Sequence, residues 1–528
     1  MANIGKQPCD EGVITAKPCI QPCTRNLRPW ILAATILGSS MAMIDGTVVN
    51  VALPVLQASL QATATDVQWI VESYALFLAA LILVGGSLGD RFGRRRIFAY
   101  GIILFAAASV WCGLAPSVHQ LIYARAIQGV GGALLVPGSL AIISASFNAQ
   151  QRGRAIGTWS GFTGITSALG PVLGGWLIEN ASWRWIFFLN VPLAAIVLVI
   201  LFWRVPESRD RDAKKLDWWG AMLVTLGLGT LVYGLISSSH LTWTDPKVIS
   251  AIVVSILALL GFIFVEGKNP APMMPLSLFR SRTFSGANLL TLLLYTALSG
   301  ILFFFPFNLI QVQGYSPTAA GAAFLPFILI MFLLSRWSGG LVSRYGSQRP
   351  LTVGPIIAAI GIGLFALPGV GGSYWTTFFP AVVVLALGMA ITVAPLTTTV
   401  MGALSDRQAG IASGINNAVA RTAGLLSIAV LSIVVQSAFN YSLDRRLAML
   451  TLPPGVKQLL DAQRINLAGA EVPTNLDSDL VAALRSAIAL SFVDSFRLII
   501  FISIGLALAS ALIAFVMLKQ PSGKLDEV

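Results

Sequence analysis

The chain has 528 residues, of which 56% are hydrophobic and 11% are charged, and its formal net charge is +12. Soluble domains carry about a quarter charged residues, so this composition excludes an ordinary soluble domain and indicates a polytopic, all-α membrane protein. Lysine and arginine gather in short segments between apolar runs, which is typical of loops that set membrane topology. We therefore expect membrane lipids, and no nucleic acid, as the partner of this charge.

Residues 1–28 form a polar N-terminal tail without an apolar core, so no signal peptide is expected. Cys9, Cys19 and Cys23 each follow a proline in this tail, and we interpret them as free thiols. A metal site at Cys19 and Cys23 would lack support from histidine or further cysteine residues. We therefore expect no metal and no cofactor.

Fourteen apolar runs follow the tail, and each is long enough to be a membrane helix, which needs about 20 residues. Basic residues concentrate in every second connection, and such connections mark the cytoplasmic side. This pattern predicts a multi-pass protein of the cytoplasmic (inner) membrane with both termini, including the tail 519–528, in the cytoplasm. The long connection 437–490 is predicted to lie outside. The runs lie near residues 30–56, 68–88, 97–115, 119–146, 154–178, 185–203, 217–238, 247–265, 284–311, 318–341, 350–369, 375–400, 408–436 and 491–518.

The first run contains the sequence MAMIDGTVVNVALP, which places Asp45 well inside an apolar helix. A charged residue at such a depth costs at least about 2.5 kcal/mol on insertion scales, and it is retained mainly for function. The alternative is a structural aspartate that is permanently paired with a neighbouring arginine.

Between the second and third runs lies GGSLGDRFGRRRIF, residues 85–98. Its glycines, among them Gly86 and Gly93, are predicted to allow close backbone approach or a positive φ. Asp90, Arg91 and Arg94 are predicted to lie in this cytoplasmic turn. The sequence SGGLVSRYGSQRPL, residues 338–351, aligns with it without a gap.

This repeat predicts two six-helix bundles, at 29–203 and 284–518, separated by an insertion at 204–283. The insertion holds two helices between basic linkers, so the predicted total is fourteen spans.

The fourth run begins QLIYARAIQGVGGALLVPG and carries Arg125 about two turns from its outer end. Gln128 is three residues further on, and it therefore lies on the same helix face. Arg125 either snorkels outwards, pairs structurally, or takes part in function. Glu72 in the second run lies at a similar depth and is its expected partner, which would leave Asp45 free to titrate.

The fifth run reads GTWSGFTGITSALGPVLGGWL, and its many small residues predict close helix packing. Pro171 permits a bend, because neighbouring helices can satisfy the freed carbonyl. The glycines expected to pack closely are Gly157, Gly170, Gly174 and Gly175. In the thirteenth run, Asn416 and Arg421 are the candidates for a polar cavity in the second half.

Four motifs resemble the major facilitator superfamily of transporters. The pattern G-x-L-G-D-R-x-G-R-R-R resembles its signature loop, and R-x-x-Q-G-x-G resembles its fourth-helix motif. D-x-T-V-V-N-V-A-L-P is similar to the first-helix motif of its fourteen-helix drug:proton antiporter branch. G-x8-T-x3-G-P-x2-G-G resembles the antiporter motif, although Thr166 replaces the usual glycine.

The resemblance implies a proton-coupled exporter of drugs or amphiphilic small molecules that works by alternating access. Asp45, Arg125 and their neighbours would handle protons and substrate, and we expect a monomer, with accessory partners left open. An exporter of an endogenous siderophore, lipid or polysaccharide precursor, a nutrient symporter, a transport-dead sensor and a membrane enzyme remain as alternatives. The sequence lacks G-x-x-x-x-G-K-[ST], so direct use of ATP is not expected, and no enzymatic activity is expected either.

Overall fold

The computed structural model describes residues 27–147, 149–209, 217–238, 241, 243–404, 409–450, 452–453, 455–473 and 476–518. Within these ranges all regular elements are helical, as the composition predicts. The thiols of Cys9, Cys19 and Cys23 lie outside the described residues. In chain order the α-helices are α1 Arg28–Ser59, α2 Ala64–Phe92, α3 Arg94–Leu114, α4 Val118–Ser146, α5 Ala149–Asn180, α6 Trp185–Phe188, α7 Asn190–Arg204, α8 Trp218–Ser237, α9 Pro246–Lys268, α10 Arg282–Phe307, α11 Pro317–Ala322, α12 Leu325–Gly339, α13 Leu341–Tyr345, α14 Gln348–Leu364, α15 Tyr374–Thr377, α16 Phe379–Gly402, α17 Ala409–Leu447, α18 Val456–Gln463 and α19 Ser478–Met517.

Each of the fourteen apolar runs overlaps a helix. Twelve helical segments of the described chain are long and apolar enough to cross a membrane. The two runs outside this set correspond to the glycine-rich α5 and to α14, which has 17 residues. The membrane-protein class is therefore confirmed, while the count of fourteen spans stays a prediction.

Several helices begin where a capping side chain satisfies free backbone N–H groups. The α2 helix starts with a capping box in which the Thr63 hydroxyl accepts from the Asp66 amide at 3.1 Å and the Asp66 carboxylate accepts from the Thr63 amide at 2.9 Å. Asp217 caps α8 by accepting from the Gly220 amide at 2.9 Å. Asp245 caps α9, whose first residue is Pro246, by accepting from the Lys247 amide at 2.8 Å.

Two helices are much longer than the membrane requires. The α17 helix has 39 residues and α19 has 40, so at 1.5 Å per residue each is about 60 Å long. The hydrocarbon core of a bilayer is about 30 Å thick. Both helices therefore project well beyond the apolar layer.

The chain divides into two compact units. The first unit holds the described residues up to Met273 together with Pro306–Leu325 and Thr451–Ala482, and the second holds the rest. These units differ from the boundaries at 203, 283 and 437–490 that the repeat and the hydropathy suggested. Helices α8 and α9, which the sequence repeat predicts to be an insertion, belong to the first unit, where the rings of Trp69 in α2 and Tyr233 in α8 lie 6.4 Å apart.

The connection 437–490 is largely structured. Beyond the end of α17 it contains α18 and a 3-10 turn at Arg464–Gly469, and its last residues form the beginning of α19 at Ser478. In the first unit Gln57 accepts a hydrogen bond from Gln311 at 3.0 Å and donates to the carbonyl of Asn466 at 3.4 Å. Leu467 is buried there at a positive φ of 53°. These contacts fix the middle of the connection against the end of α1.

Candidate functional site

Asp45, Arg125 and Gln128 form one buried network in the first unit. The Asp45 carboxylate accepts hydrogen bonds from Arg125 Nη1 at 2.5 Å and from Gln128 Nε2 at 2.8 Å. Arg125 Nη1 also donates to Gln128 Oε1 at 2.8 Å. The three side chains are at most 1% exposed. The residues of the first-run and fourth-run motifs are thus in direct contact.

Three further helices complete this network. Arg125 Nε donates to the carbonyl of Ile70 in α2 at 3.1 Å, and its guanidinium lies 4.2 Å from the centre of the Tyr74 ring. Ser109 of α3 receives hydrogen bonds from Gln128 at 3.1 Å and from Asn190 of α7 at 2.8 Å. Helices α1, α2, α3, α4 and α7 therefore meet at one polar centre.

Sequence reasoning missed Ser109, Cys112 and Asn190 as members of this site. The buried Cys112 thiol donates to Gln128 Oε1 at 3.6 Å. Each of the three is a small polar residue in an apolar run, and such residues are common in membrane helices. Nothing in their spacing distinguished them from packing residues.

The network holds one negative and one positive charge away from solvent. Each charge also has neutral hydrogen-bond partners, which is the condition under which a buried ion pair is tolerated. Beside it, Gly46 of α1 is exposed, and no other atom lies within 4 Å of the place a side chain would occupy. The helix surface one residue from Asp45 is therefore open.

Glu72 is not the partner of Arg125, contrary to the pairing expected from depth alone. The Arg125 guanidinium pairs with Asp45, and the fully buried Glu72 carboxyl has no hydrogen-bond partner among the described residues. Glu72 shares a helix face with Trp69 and Leu76, which border α8. It is a second, separate acidic group in the same unit.

The turn between α2 and α3 is built around Gly93 and a carboxylate from far along the chain. Gly93 has a φ of 115°, and an added Cβ would lie 2.7 Å from Oε1 of Glu207. Glu207 accepts from the amides of Arg95 at 3.0 Å and Arg96 at 3.2 Å. A carboxylate there satisfies the free N–H groups at the start of α3 and interacts favourably with its dipole.

The other residues of this loop make fewer contacts. Asp90 and Arg94 form a local ion pair at 2.8 Å, and Arg91 is exposed beside the Phe92 ring. The expectation that Gly86 permits close helix approach is wrong, because a Cβ there would find only an ordinary contact with Pro137 at 3.7 Å. The close approach of α2 to α4 is at Gly85, where a Cβ would overlap the backbone of Ala133.

The glycines of α5 lie against two different partners. A Cβ at Gly170 or Gly174 would overlap Thr47 or Val48 of α1, and one at Gly175 would overlap the carbonyl of Pro317 in α11. On the other side of the same α5–α11 contact, a Cβ at Gly321 of α11 would overlap the carbonyl of Pro171.

Thr166, the position that departs from the antiporter motif, donates to Ser40 of α1 at 2.9 Å. At this position a side-chain hydrogen bond between α5 and α1 therefore takes the place of the close backbone contact that a glycine would allow. Of Gly157 only the helical backbone is described.

In the second unit, Asn416 of α17 connects to α10. Its amide donates to Asn288 Oδ1 at 3.1 Å and to Thr291 Oγ1 at 2.8 Å. Arg421 follows on the same helix and is half-buried. Asn416 and Arg421 lie in the second unit, and Asp45 lies in the first. Within the described ranges, no group of three His, Cys, Asp or Glu residues could hold a metal ion.

The family described as Major Facilitator Superfamily matches residues 35–428, three quarters of the chain. The chain belongs to this superfamily. Its membership confirms the resemblance drawn from the four motifs, and the protein is a transport protein rather than an enzyme.

Relatives in this superfamily are named for resistance and export. The chain is 32% identical over 506 residues to the tetracenomycin C resistance and export protein of Streptomyces glaucescens, covering 95% of this chain and 94% of that one. It is 34% identical over 435 residues to the multidrug resistance protein Stp of Mycobacterium tuberculosis, covering 81% and 80%. It is also 34% identical over 415 residues to the puromycin resistance protein pur8 of Streptomyces alboniger, covering 78% and 82%.

Solved structures share the superfamily fold at low sequence identity. A bacterial homologue of the human lysosomal transporter Spinster matches with a TM-score of 0.63 at 18% identity, covering 94% of this chain and 100% of that chain. A D-xylose-proton symporter matches with a TM-score of 0.59 at 14% identity, covering 94% and 99%. These similarities support the fold alone.

Proposed function

We propose that this protein exports drug-like, amphiphilic small molecules across the cytoplasmic membrane in exchange for protons. The proposal rests above all on Asp45, a fully buried carboxylate that is held by one guanidinium and one amide inside the helices of the first unit. The relatives named for resistance to tetracenomycin C, to puromycin and to multiple drugs favour drug-like substrates.

Protonation of Asp45 would change the charge of the whole network. Arg125 would stay positive while losing its only described carboxylate partner, although the Ile70 carbonyl, Gln128 and the Tyr74 ring remain. Removing one partner of a buried ion pair costs about 3–5 kcal/mol. A proton that moves down one pH unit and 100 mV releases about 3.7 kcal/mol. The two energies are similar, so proton entry can drive a rearrangement of this site.

In the proposed cycle, substrate and proton use the same carboxylate in turn. Protonation from the outer side would displace a cationic substrate, and release of the proton to the inner side would restore the Asp45–Arg125 pair. Alternating access of two bundles would separate these events. Asn416 and Arg421 are proposed to supply polar groups from the second half.

The remaining motif residues have proposed supporting roles. Gly86, Asp90, Arg91, Gly93 and Arg94 would form the inner gating loop, and Gly170, Pro171, Gly174 and Gly175 would hold α5 against α1 and α11. We propose fourteen spans, both termini in the cytoplasm, and a monomer as the functional form.

The test is transport by the full chain in proteoliposomes with an imposed pH step, using a fluorescent lipophilic cation as substrate. Asp45→Asn should abolish the pH-driven flux while size-exclusion chromatography shows folded protein. Asp479→Asn makes the same chemical change at an exposed site in the first turn of α19, and it should transport normally. Normal pH-driven flux by Asp45→Asn would disprove the role of this carboxylate.

A further inference from the structure

A cleft of about 480 Å³ opens in the second unit between the C-terminal end of α17 and the middle of α19. It is separate from the network around Asp45, and no motif of the sequence falls in it. Its lining combines cationic, acidic and apolar side chains. The residues are Ala438, Tyr441, Ser442, Arg445, Arg446, Met449, Asp494 and Leu498.

The charged groups of this cleft leave a positive excess. Asp494 accepts from Arg446 Nη2 at 2.7 Å and from the Ser442 hydroxyl at 2.8 Å, and Arg497 lies 3.7 Å from its other oxygen. Arg445 is exposed and forms no ion pair within the described chain. Two arginines and one aspartate therefore line the cleft, and the charge of Arg445 remains available to a ligand.

By the proposed topology, the lengths of α17 and α19 place the cleft at the level of the lipid headgroups. Leu498 is 19 residues from the end of α19 at Met517, a distance of about 29 Å along the helix. That is the thickness of the hydrocarbon core. Tyr441 is 32 residues from the start of α17, or about 48 Å, which is beyond that core. By the proposed topology this is the outer surface of the membrane.

An apolar stripe leads away from the cleft along α19. Leu498 both lines the cleft and begins this stripe, and the exposed positions that follow are separated by three or four residues, so they share one helix face. They are Phe501, Gly505, Leu508, Leu512 and Phe515. At Gly505 no other atom lies within 4 Å of the position of a Cβ, which leaves a shallow space along the stripe.

We infer that this cleft binds the phosphate group of an anionic phospholipid, whose acyl chains lie along the exposed stripe of α19. The arginines suit a phosphate oxygen because charge-assisted hydrogen bonds from guanidinium groups are strong. Free phosphate would use the same charges but would gain nothing from the stripe. The depth of the cleft and its continuity with Leu498 therefore favour a lipid over a free anion.

The experiment is native mass spectrometry of the purified full chain, titrated with phosphatidylglycerol in detergent. Wild type should retain one tightly bound lipid, and Arg445→Gln should weaken its binding about fivefold, the effect expected for one basic residue near an anionic lipid. The double variant Arg445→Gln/Arg446→Gln should lose the tightly bound lipid. Arg445 has no ion pair to break, so its variant tests binding without disturbing the fold.

Arg485→Gln is the matched control, because Arg485 is an exposed arginine on α19 away from the cleft. Its lipid binding should equal that of wild type, and equal binding by Arg445→Gln and Arg485→Gln would overturn the inference. A second arm measures melting temperature with inorganic phosphate in place of lipid. If phosphate raises the melting temperature of wild type as much as phosphatidylglycerol does, and Arg445→Gln removes both effects, the lipid assignment is wrong.

Discussion

Asp45 makes two hydrogen-bonded contacts through different oxygens, one to Arg125 and one to Gln128. Asp45→Glu keeps the carboxylate but moves it by about one bond length. A misplacement of about 1 Å can cost up to about 100-fold in rate, so we expect transport 10- to 100-fold slower than wild type, yet still driven by pH. The measurement is the initial rate of efflux against pH in proteoliposomes. Complete inactivity would show that the shape of the aspartate, rather than its proton, is required.

The Glu72 carboxyl differs from that of Asp45, because it is buried without a hydrogen-bond partner in the described chain. Glu72→Gln keeps the shape and removes the possibility of a buried charge. We expect a melting temperature equal to or above that of wild type, since burying an unpaired charge is costly.

Transport by Glu72→Gln then shows whether this second acid carries a proton. We expect the variant to transport substrate with fewer protons per cycle, measured as the substrate gradient reached at a fixed pH step. A melting temperature several degrees below wild type would contradict this view of the site, because it would mean that Glu72 is charged and paired. Asp45→Asn is the comparison, because it breaks an ion pair.

At the scale of the element, the turn between α2 and α3 depends on one glycine. Gly93→Ala must adopt a φ of 115° and place a methyl group against the Glu207 carboxylate. Strained backbone of this kind costs about 1–3 kcal/mol, and displacement of Glu207 would also expose the amides of Arg95 and Arg96. We expect a clear fall in melting temperature in detergent.

Gly86→Ala is the matched control for this turn. The position lies inside α2, has room for a Cβ, and alanine is favoured over glycine in helices by about 0.5–1 kcal/mol. Its melting temperature should equal or slightly exceed that of wild type. A larger loss in Gly86→Ala than in Gly93→Ala would contradict the structure of this loop.

At the scale of the whole molecule, thiol labelling distinguishes the two sides of the predicted topology. After replacement of the native cysteines by serine, Gln463→Cys should react with an impermeant thiol reagent in cells that lack their outer barrier. Ala213→Cys should not react, because the basic segment around it is predicted to face the cytoplasm. Labelling of both positions, or the reverse pattern, would exclude the fourteen-span topology.

Much of the fold follows from the sequence because a bilayer imposes a simple length requirement on apolar helices. The same requirement could not reveal where a run would break, as it does between α11 and α12. Depth along a helix predicted Glu72 as the partner of Arg125, whereas the structure pairs Arg125 with Asp45. The actual choice depends on which face of α2 turns toward α4, and that is set by packing at Gly85 and Gly129.

The cap at the start of α3 was also beyond sequence reasoning, since Glu207 lies 112 residues from Arg95. The compact units were unpredictable for a similar reason. The contacts of Gln57 with Gln311 and Asn466 join segments that are 254 and 409 residues apart. Hydropathy reports on single segments and carries no information about such pairs.

The distance in sequence between Arg95 and Glu207 also sets an order of events during synthesis. At about 5–20 residues per second, a ribosome needs roughly 6–22 s to reach the capping carboxylate after it has made the arginines. The Asp90–Arg94 ion pair can form as soon as both residues have been made, because they are four residues apart. The hydrogen bonds from the start of α3 to Glu207 can form only later. During that interval the arginines lack the Glu207 carboxylate and can act as the positive cluster that is predicted to keep this loop in the cytoplasm. Glu207 then fixes the turn after the predicted orientation has been set.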